Sequence, residues 1–155
     1  PSVDIAVLAL SEQLTAVQLP VWLDFAGTFL SQEVFFLGFP TQMKMDGKAL
    51  NNGFPIPLVK HGVLAYFPLG EPGEPFLIDG TNTYGFSGGP VVRVSDINKP
   101  AIIGVISGFR AFPEPVTQAG AQIGVTNSNT GLAVAFSISY AIDAIRKNPI
   151  GFKVP

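Results

Sequence analysis

The chain has 155 residues, enough for one domain with its own hydrophobic core. Its formal net charge is −2 and no basic stripe is present, so nucleic acid is not expected as a partner. It has no cysteine, which excludes disulfides and cysteine-ligated metal, and no apolar run approaches the length of a membrane span. These properties indicate no particular compartment or oligomeric state.

Short apolar runs separated by glycine, proline and asparagine predict many short strands joined by turns. Valine, isoleucine and phenylalanine dominate these runs, as is typical of half-buried strands. The predicted strands are Asp4–Ala9, Val34–Phe39, Val63–Phe67, Pro75–Ile78, Pro90–Val94, Ala101–Phe109 and Gly131–Phe136. Turns are predicted at residues 45–47, 51–53, 71–75 and 127–130.

One helix is predicted over residues 137–148. Ser137 can serve as its N-cap, Arg146 and Lys147 complement the helix dipole at the C-terminal end, and Pro149 stops it. Strands followed by a single C-terminal helix predict an all-β fold class.

The segment Gly85-Phe86-Ser87-Gly88-Gly89-Pro90 carries the clearest chemical signal. A serine flanked by glycines lies in a tight turn where the backbone can approach a ligand closely. Consecutive N–H groups in such a turn can form a nest that binds an oxyanion. Taken alone, these six residues fit a glycine-rich hairpin turn with a chance serine about equally well.

This segment resembles the Gly-Asn/Asp-Ser-Gly-Gly-Pro signature of trypsin-like serine proteases, and the pattern is most similar to the HtrA-like or V8-like bacterial members. Other segments match that family in the same order along the chain. Asp4-Ile5-Ala6-Val7-Leu8 resembles the strand of the triad aspartate, and Leu37-Gly38-Phe39-Pro40 resembles the opening of the second barrel in HtrA-like bacterial members. Gly131–Phe136 resembles the strand that leads into the terminal helix, so the resemblance spans Asp4 to Lys147.

The resemblance implies a role for each matching residue. Ser87 Oγ is expected to be the nucleophile, Asp4 to orient the catalytic imidazole, and the N–H groups of Gly85 and Ser87 to bind the oxyanion. The residues expected to bind substrate are Thr81, Asn82, Tyr84, Ser107, Gly108 and Phe109. Thr81 stands where trypsin has an aspartate, so we expect a preference for an uncharged side chain. No metal or other cofactor is expected.

The fold implied is a trypsin-like double β-barrel with a C-terminal helix. Residues 1–30 would supply the end of the first barrel and a linker, residues 31–136 the second barrel, and residues 137–148 the helix. The chain would then be part of a peptidase domain that acts on a peptide or protein substrate.

Two departures from the family pattern qualify this hypothesis. The family's histidine precedes the aspartate, whereas the sole histidine here, His61, follows Asp4 and is expected to be structural or at the surface. We therefore expect a fragment with little activity, because a serine hydroxyl is a poor nucleophile without a base. Phe86 replaces the family's Asp or Asn and is expected to bury itself, which would hold the loop differently. The alternative is a non-catalytic peptide-binding or structural module on the same scaffold.

Overall fold

A computed structural model describes residues 2–14, 20–21, 25, 27–40, 43–47, 50–51, 53–68, 72–94 and 100–150. This part of the chain forms six strands and one helix, which confirms the predicted all-β class. The elements are β1 (Glu33–Gly38), β2 (Leu58–Tyr66), β3 (Phe76–Asp79), β4 (Pro90–Val94), β5 (Pro100–Gln118), β6 (Ala121–Ser137) and α1 (Ser139–Lys147).

The strands pair antiparallel in the order β1-β2-β3-β6-β5-β4, and β4 returns to β1 to close the sheet. Closure matters because it satisfies the backbone N–H and C=O groups that an open sheet leaves at its edges. The β1–β4 contact that closes the sheet is short, with Val34, Phe35 and Phe36 opposite residues 91–93.

Side chains alternate between the interior of the closed sheet and its outer surface, as strand geometry requires. In β1, Val34 and Phe36 are fully buried while Glu33 is exposed. The buried apolar cluster consists of Val34, Phe36, Leu64, Phe76, Ile78, Phe86, Val91, Ile103, Ile106, Ala133 and Ala135. Among the described residues of this cluster, Phe86 alone comes from a loop, the glycine loop between β3 and β4, and not from a strand.

The prediction of a strand at Asp4–Ala9 is wrong. Residues 2–10 have no strand partner within the described part of the chain, and the side chains of Leu8 and Leu10 are 84% and 49% exposed. A strand forms only where a neighbouring strand accepts and donates its backbone hydrogen bonds, so the apolar pattern alone was insufficient. Residues 15–19, 22–24 and 26 of the predicted linker lie outside the described residues.

The predicted bounds Ala101–Phe109 and Gly131–Phe136, which correspond to β5 and β6, are also wrong. The turn predicted at residues 127–130 lies inside β6, and the chain reverses instead at Ala119-Gly120, with φ values of 50° and 82°. Positive φ at both central residues is the geometry of a type I′ hairpin turn, whose twist matches that of the strands. Residues 110–130 thus extend beyond the closed sheet as a two-stranded arm, because β4 pairs with β5 only as far as Val105 and β3 with β6 only from Leu132.

The helix begins at Ser139, two residues after the start of the predicted range, and its N-cap is Ile138 and not Ser137. The reason is that β6 continues to Ser137, which is paired with Gly104. Ser137 Oγ still accepts a hydrogen bond from the Ser139 N–H at 3.3 Å. Arg146 lies in the last turn with Lys147, as predicted. None of the helical segments in the described ranges has the length and apolarity that crossing a bilayer requires.

We expect Ile78→Ala to lower the free energy of unfolding by about 2–5 kcal/mol, because it opens a cavity in the middle of the buried cluster. Val59→Ala is the matched control on a neighbouring strand, since the Val59 side chain is 58% exposed, and it should cost less than about 0.5 kcal/mol. Urea unfolding followed by circular dichroism measures both. Equal costs for the two variants would contradict the placement of the core.

Candidate functional site

The loop that carries Ser87 has a backbone that requires glycine at several positions. Gly85 and Gly88 have φ values of 98° and 85°, in the region that other residues rarely adopt. A Cβ atom at Gly85 would also collide with the carbonyl oxygen of Phe39. The Phe39 N–H donates to the Gly85 carbonyl at 2.8 Å, and the Gly88 N–H donates to the Ile106 carbonyl at 2.8 Å. The loop is therefore fixed between the end of β1 and the middle of β5.

Three N–H groups of residues 85–89, those of Gly85, Phe86 and Ser87, have no backbone acceptor among the described residues. The Gly88 and Gly89 N–H groups are bonded, the second of them to the Phe86 carbonyl at 2.9 Å. Within the described ranges, the N–H groups of Gly85 and Ser87 donate no hydrogen bond. These are the two groups that the sequence predicts as oxyanion donors, and both residues are exposed at the surface.

Ser107 connects the predicted nucleophile to the predicted aspartate. Ser87 Oγ donates a hydrogen bond to the Ser107 carbonyl oxygen at 2.9 Å, and Ser107 Oγ donates to Asp4 Oδ2 at 2.6 Å. The Ser107 position is the extra residue of a β-bulge between Ile106 and Gly108 in the β5–β6 ladder. A bulge re-aims the backbone and side chain of its extra residue, which lets Ser107 reach two partners outside the ladder.

Asp4 thus lies next to the serine loop although 103 positions separate it from Ser107 in sequence. Asp4 is hydrogen-bonded to the side chain of Ser107 and Ser87 to its backbone carbonyl, so both lie beside the same residue. The sequence resemblance predicts that Asp4 and Ser87 are neighbours in this way. The arrangement binds the carboxylate through a hydroxyl group, a charge-assisted hydrogen bond of the stronger kind.

No base contacts Ser87 among the described residues, since its hydroxyl donates to a carbonyl oxygen that cannot take up the proton. His61 lies on β2, with Nε2 3.6 Å from Glu33 Oε1 and its side chain 51% exposed. Lys60 precedes it on the strand and points toward the serine loop, so His61 points to the opposite face. His61 is therefore a surface residue, as predicted.

Phe86 is fully buried, which confirms the expectation from the sequence. Its ring meets the Phe36 ring edge-to-face with centroids 5.4 Å apart, a favourable aromatic geometry. Gly38 makes room for it, because a Cβ atom there would collide with the Phe86 side chain. The residue before Ser87 thus anchors the loop in the core of the closed sheet by apolar contact instead of a polar tie.

Lys60 braces the same loop from β2, a contact that sequence reasoning missed. Its Nζ lies 5.4 Å from the Phe86 ring centroid and donates to the Thr81 carbonyl at 2.6 Å. One cation therefore holds both ends of residues 81–86, partly through a cation–π contact. From sequence, a lysine on a strand is expected to face solvent. The contacts of Lys60 with residues 81–86 therefore emerge only from the structure.

The segments predicted to form the substrate pocket do come together. Asn82 is 1% exposed, and its Nδ2 donates to the Gly108 carbonyl at 2.7 Å. Asn129 lies in the segment predicted as a turn and connects Asn82 with the start of the strand Gly131–Phe136: its Nδ2 donates to the Asn82 carbonyl, and its Oδ1 accepts from the Gly131 N–H at 2.9 Å. Asn82 Oδ1 has no hydrogen-bond partner in the part of the chain that the structure describes.

Two further predicted pocket residues form an aromatic pair at the surface. The Tyr84 and Phe109 rings meet edge-to-face with centroids 5.7 Å apart, and Tyr84 remains 81% exposed. This pair lies next to the start of the glycine loop, since Tyr84 immediately precedes Gly85. None of the six residues predicted to bind substrate has a charged side chain.

A comparison of the chain with protein-family models and with curated proteins finds no match. Across the described ranges, no three histidine, aspartate or glutamate side chains cluster closely enough to hold a metal ion.

We expect Lys60→Met to lower the free energy of unfolding by about 1–2 kcal/mol, because the hydrogen bond to Thr81 and the cation–π contact are both lost. Lys60→Arg keeps the charge and should recover part of the loss. Urea unfolding gives the stability, and amide hydrogen exchange should show faster exchange at residues 81–88 in Lys60→Met. Unchanged exchange there would contradict the bracing role.

Proposed function

We propose that this chain is the nucleophile-bearing part of a trypsin-like serine endopeptidase. The observation that carries the proposal is the hydrogen-bonded path from Ser87 through Ser107 to Asp4. It lies beside a glycine loop that leaves the N–H groups of Gly85 and Ser87 without acceptors. A nucleophile, a carboxylate and two free donors in one place are the components of acyl transfer at a serine.

In this mechanism, Ser87 Oγ attacks the carbonyl carbon of the scissile peptide bond while a base takes its proton. The negative charge moves to the carbonyl oxygen, which the Gly85 and Ser87 N–H groups stabilise. The C–N bond then breaks, the leaving amine receives the proton from the base, and the acyl group stays on Ser87. A water molecule, activated by the same base, hydrolyses the ester and restores the hydroxyl.

The base is supplied, in this proposal, by a histidine from outside the 155 residues. It would stand between Ser87 Oγ and Asp4, so that the carboxylate orients the imidazole. The present Ser87–Ser107 hydrogen bond would be exchanged for one to the imidazole, because the hydroxyl has a single proton to donate.

The exposed N-terminal segment supports this arrangement. Val3 and Ile5 are partly buried while Ser2 and Asp4 are exposed, an alternation typical of a strand, yet no described strand pairs with the segment. Leu8 is 84% exposed, a large apolar side chain with little cover. A first barrel supplied by neighbouring sequence would pair with these residues, and the closed sheet would be the second barrel of a double-barrel fold.

An uncharged substrate side chain is proposed for the pocket between residues 81–84, 107–109 and 131–133. Its support is the chemistry of Asn82, which is buried and presents amide groups and no charge, and of Thr81. The Tyr84–Phe109 pair adds apolar surface beside the entrance.

We expect the longer protein containing this chain to react with a fluorophosphonate probe at Ser87, with Ser87→Ala abolishing the labelling. Peptide mapping by mass spectrometry identifies the labelled residue. The isolated 155-residue chain should label far more slowly, because the hydroxyl lacks its base. Absence of labelling of the longer protein, under conditions where a control protease reacts, would rule out the catalytic proposal.

Ser107→Ala in the longer protein should lower kcat/KM by about 10- to 100-fold, since the charged Asp4 carboxylate loses the hydrogen bond that the Ser107 hydroxyl donates to it. Ser107→Thr keeps a hydroxyl and should recover activity in part. Steady-state cleavage of an uncharged peptide library measures the effect, with thermal melting as the control for folding. Full activity in Ser107→Ala would show that the hydrogen bond to Asp4 is not used.

A non-catalytic peptide-binding module is the second candidate. The observation in its favour is that the Ser87 hydroxyl is already satisfied by the Ser107 carbonyl, without any base. Sequencing of the gene upstream of Pro1 separates the two candidates. A Thr- or Ala-Xaa-His segment on a predicted strand supports the protease, and a first barrel without a histidine supports the binding module.

A further inference from the structure

The outer edge of β5 becomes free beside the serine loop. Ile106 exchanges backbone hydrogen bonds with that loop, accepting one from the Gly88 N–H at 2.8 Å and donating one to the Gly89 carbonyl at 2.9 Å. From Ser107 onward, no strand in the described part of the chain pairs with this edge, because β4 pairs with β5 only as far as Val105. An unpaired edge of this kind can accept an extended peptide as a further strand.

The two prolines of β5 show which backbone groups point to this free edge. Pro113 and Pro115 lie within the β5–β6 ladder, and a proline has no N–H to give to a partner strand. Proline therefore occupies ladder positions whose backbone faces away from the partner. The register shift after Phe109 adds its extra residues to β6, so the alternation along β5 is unbroken. The N–H and C=O groups of Phe109 and Ala111 thus point to the free edge as well.

Arg110 directs its backbone the other way and carries a free charge beside the edge. Its carbonyl accepts a hydrogen bond from Thr130 Oγ1 on β6 at 2.9 Å, as the alternation requires. The residue is exposed, and its guanidinium has no ion pair or hydrogen bond among the described residues. In an antiparallel pair, side chains approach most closely at positions that exchange no hydrogen bonds, and opposite charges there attract. An acidic side chain opposite Arg110 on a bound strand would therefore be favoured.

We propose that this edge binds the five substrate residues that precede the cleaved bond as an antiparallel strand, with an acidic residue at the fourth position. This inference rests on the proposed function. Counting back from the cleaved bond, the first residue lies opposite Ser107, the third opposite Phe109, the fourth opposite Arg110 and the fifth opposite Ala111. The antiparallel direction continues the pairing of β5 with both of its neighbours, β4 and β6.

Contact with Ser87 is what favours a substrate peptide as the occupant of this edge. The Ser107 carbonyl oxygen lies 2.9 Å from Ser87 Oγ. A peptide residue whose N–H bonds to that carbonyl therefore has its own carbonyl carbon beside the hydroxyl. The other end of the edge is limited by Pro113, which has no N–H to donate to the seventh substrate residue. Complete pairing is available from Ser107 to Ala111 and no further.

Peptides with three, five or seven residues before the cleaved bond test the length of the edge in the longer protein. We expect kcat/KM to rise about tenfold from three to five residues, because Ala111 adds two hydrogen bonds, and less than about twofold from five to seven. Ala111→Pro removes the N–H and should bring the ratio of kcat/KM for five and three residues close to one. Ala111→Val is the matched control, since it keeps the N–H and should keep the ratio.

Equal kcat/KM for the three- and five-residue peptides would overturn this inference while the proposed function stands. So would a ratio that Ala111→Pro and Ala111→Val leave the same.

The charge preference is tested with five-residue peptides that carry Glu or Gln at the fourth position. We expect the Glu peptide to be favoured in kcat/KM by about two- to fivefold at low salt, and less as salt is added. Arg110→Gln should remove the preference, and Arg110→Lys should keep most of it. A preference that Arg110→Gln leaves unchanged would overturn the assignment of the fourth position to Arg110.

Amide hydrogen exchange of the 155-residue chain gives a readout that needs no catalysis. A five-residue peptide acid with Glu at the fourth position, added at millimolar concentration, should protect the Phe109 and Ala111 amides. A three-residue peptide should protect Phe109 alone. Protection of both amides without cleavage by the longer protein would overturn the protease and keep the peptide-binding edge. Absence of protection by the five-residue peptide would overturn the edge itself.

Discussion

The burial of Phe86 in the closed sheet is the contact on which the candidate site depends. The ring occupies the end of the core against Phe36, and Gly38 has no side chain where the ring must pass. Because Ser87 follows directly, the position of the serine loop is set by packing in the core. Apolar packing is non-directional, so the direction comes from hydrogen bonds on either side of the loop, at Phe39 and Ile106.

The bulge at Ser107 in β5 fixes the other side of the candidate site. A regular ladder would direct the backbone of this residue to its strand neighbours, whereas the extra residue frees a carbonyl for Ser87 and a hydroxyl for Asp4. A serine satisfies both demands because it is small and offers a donor on its side chain. The site is therefore built from an irregularity in the sheet and a loop anchored beside it.

Much of this could be predicted from sequence, and the misses have physical causes. Strand β4 was predicted to the residue, since Pro90 marks its start and its apolar pattern is continuous. The arm was missed because asparagine and proline favour turns locally, whereas pairing with the opposite strand overrides that preference. The strand at Asp4–Ala9 failed for the opposite reason, because its pattern lacks a paired neighbour. The roles of Lys60 and Asn129 arise from contacts across 21 and 47 positions, which no local pattern encodes.

The register shifts at the base of the arm divide the molecule into parts of unequal stability. They fall between Ile106 and Gly108 and between Phe109 and Ala111, where the ladder of the closed sheet gives way to the arm. Local opening is easiest where buried contacts are few, so the arm should open as a separate cooperative unit well before the core. Residues 107–109 and 131–133 lie on that boundary, while the loop of Ser87 is anchored in the core through Phe86. Opening of the arm can therefore leave the loop around Ser87 in place, because that loop is held by a side chain in the core.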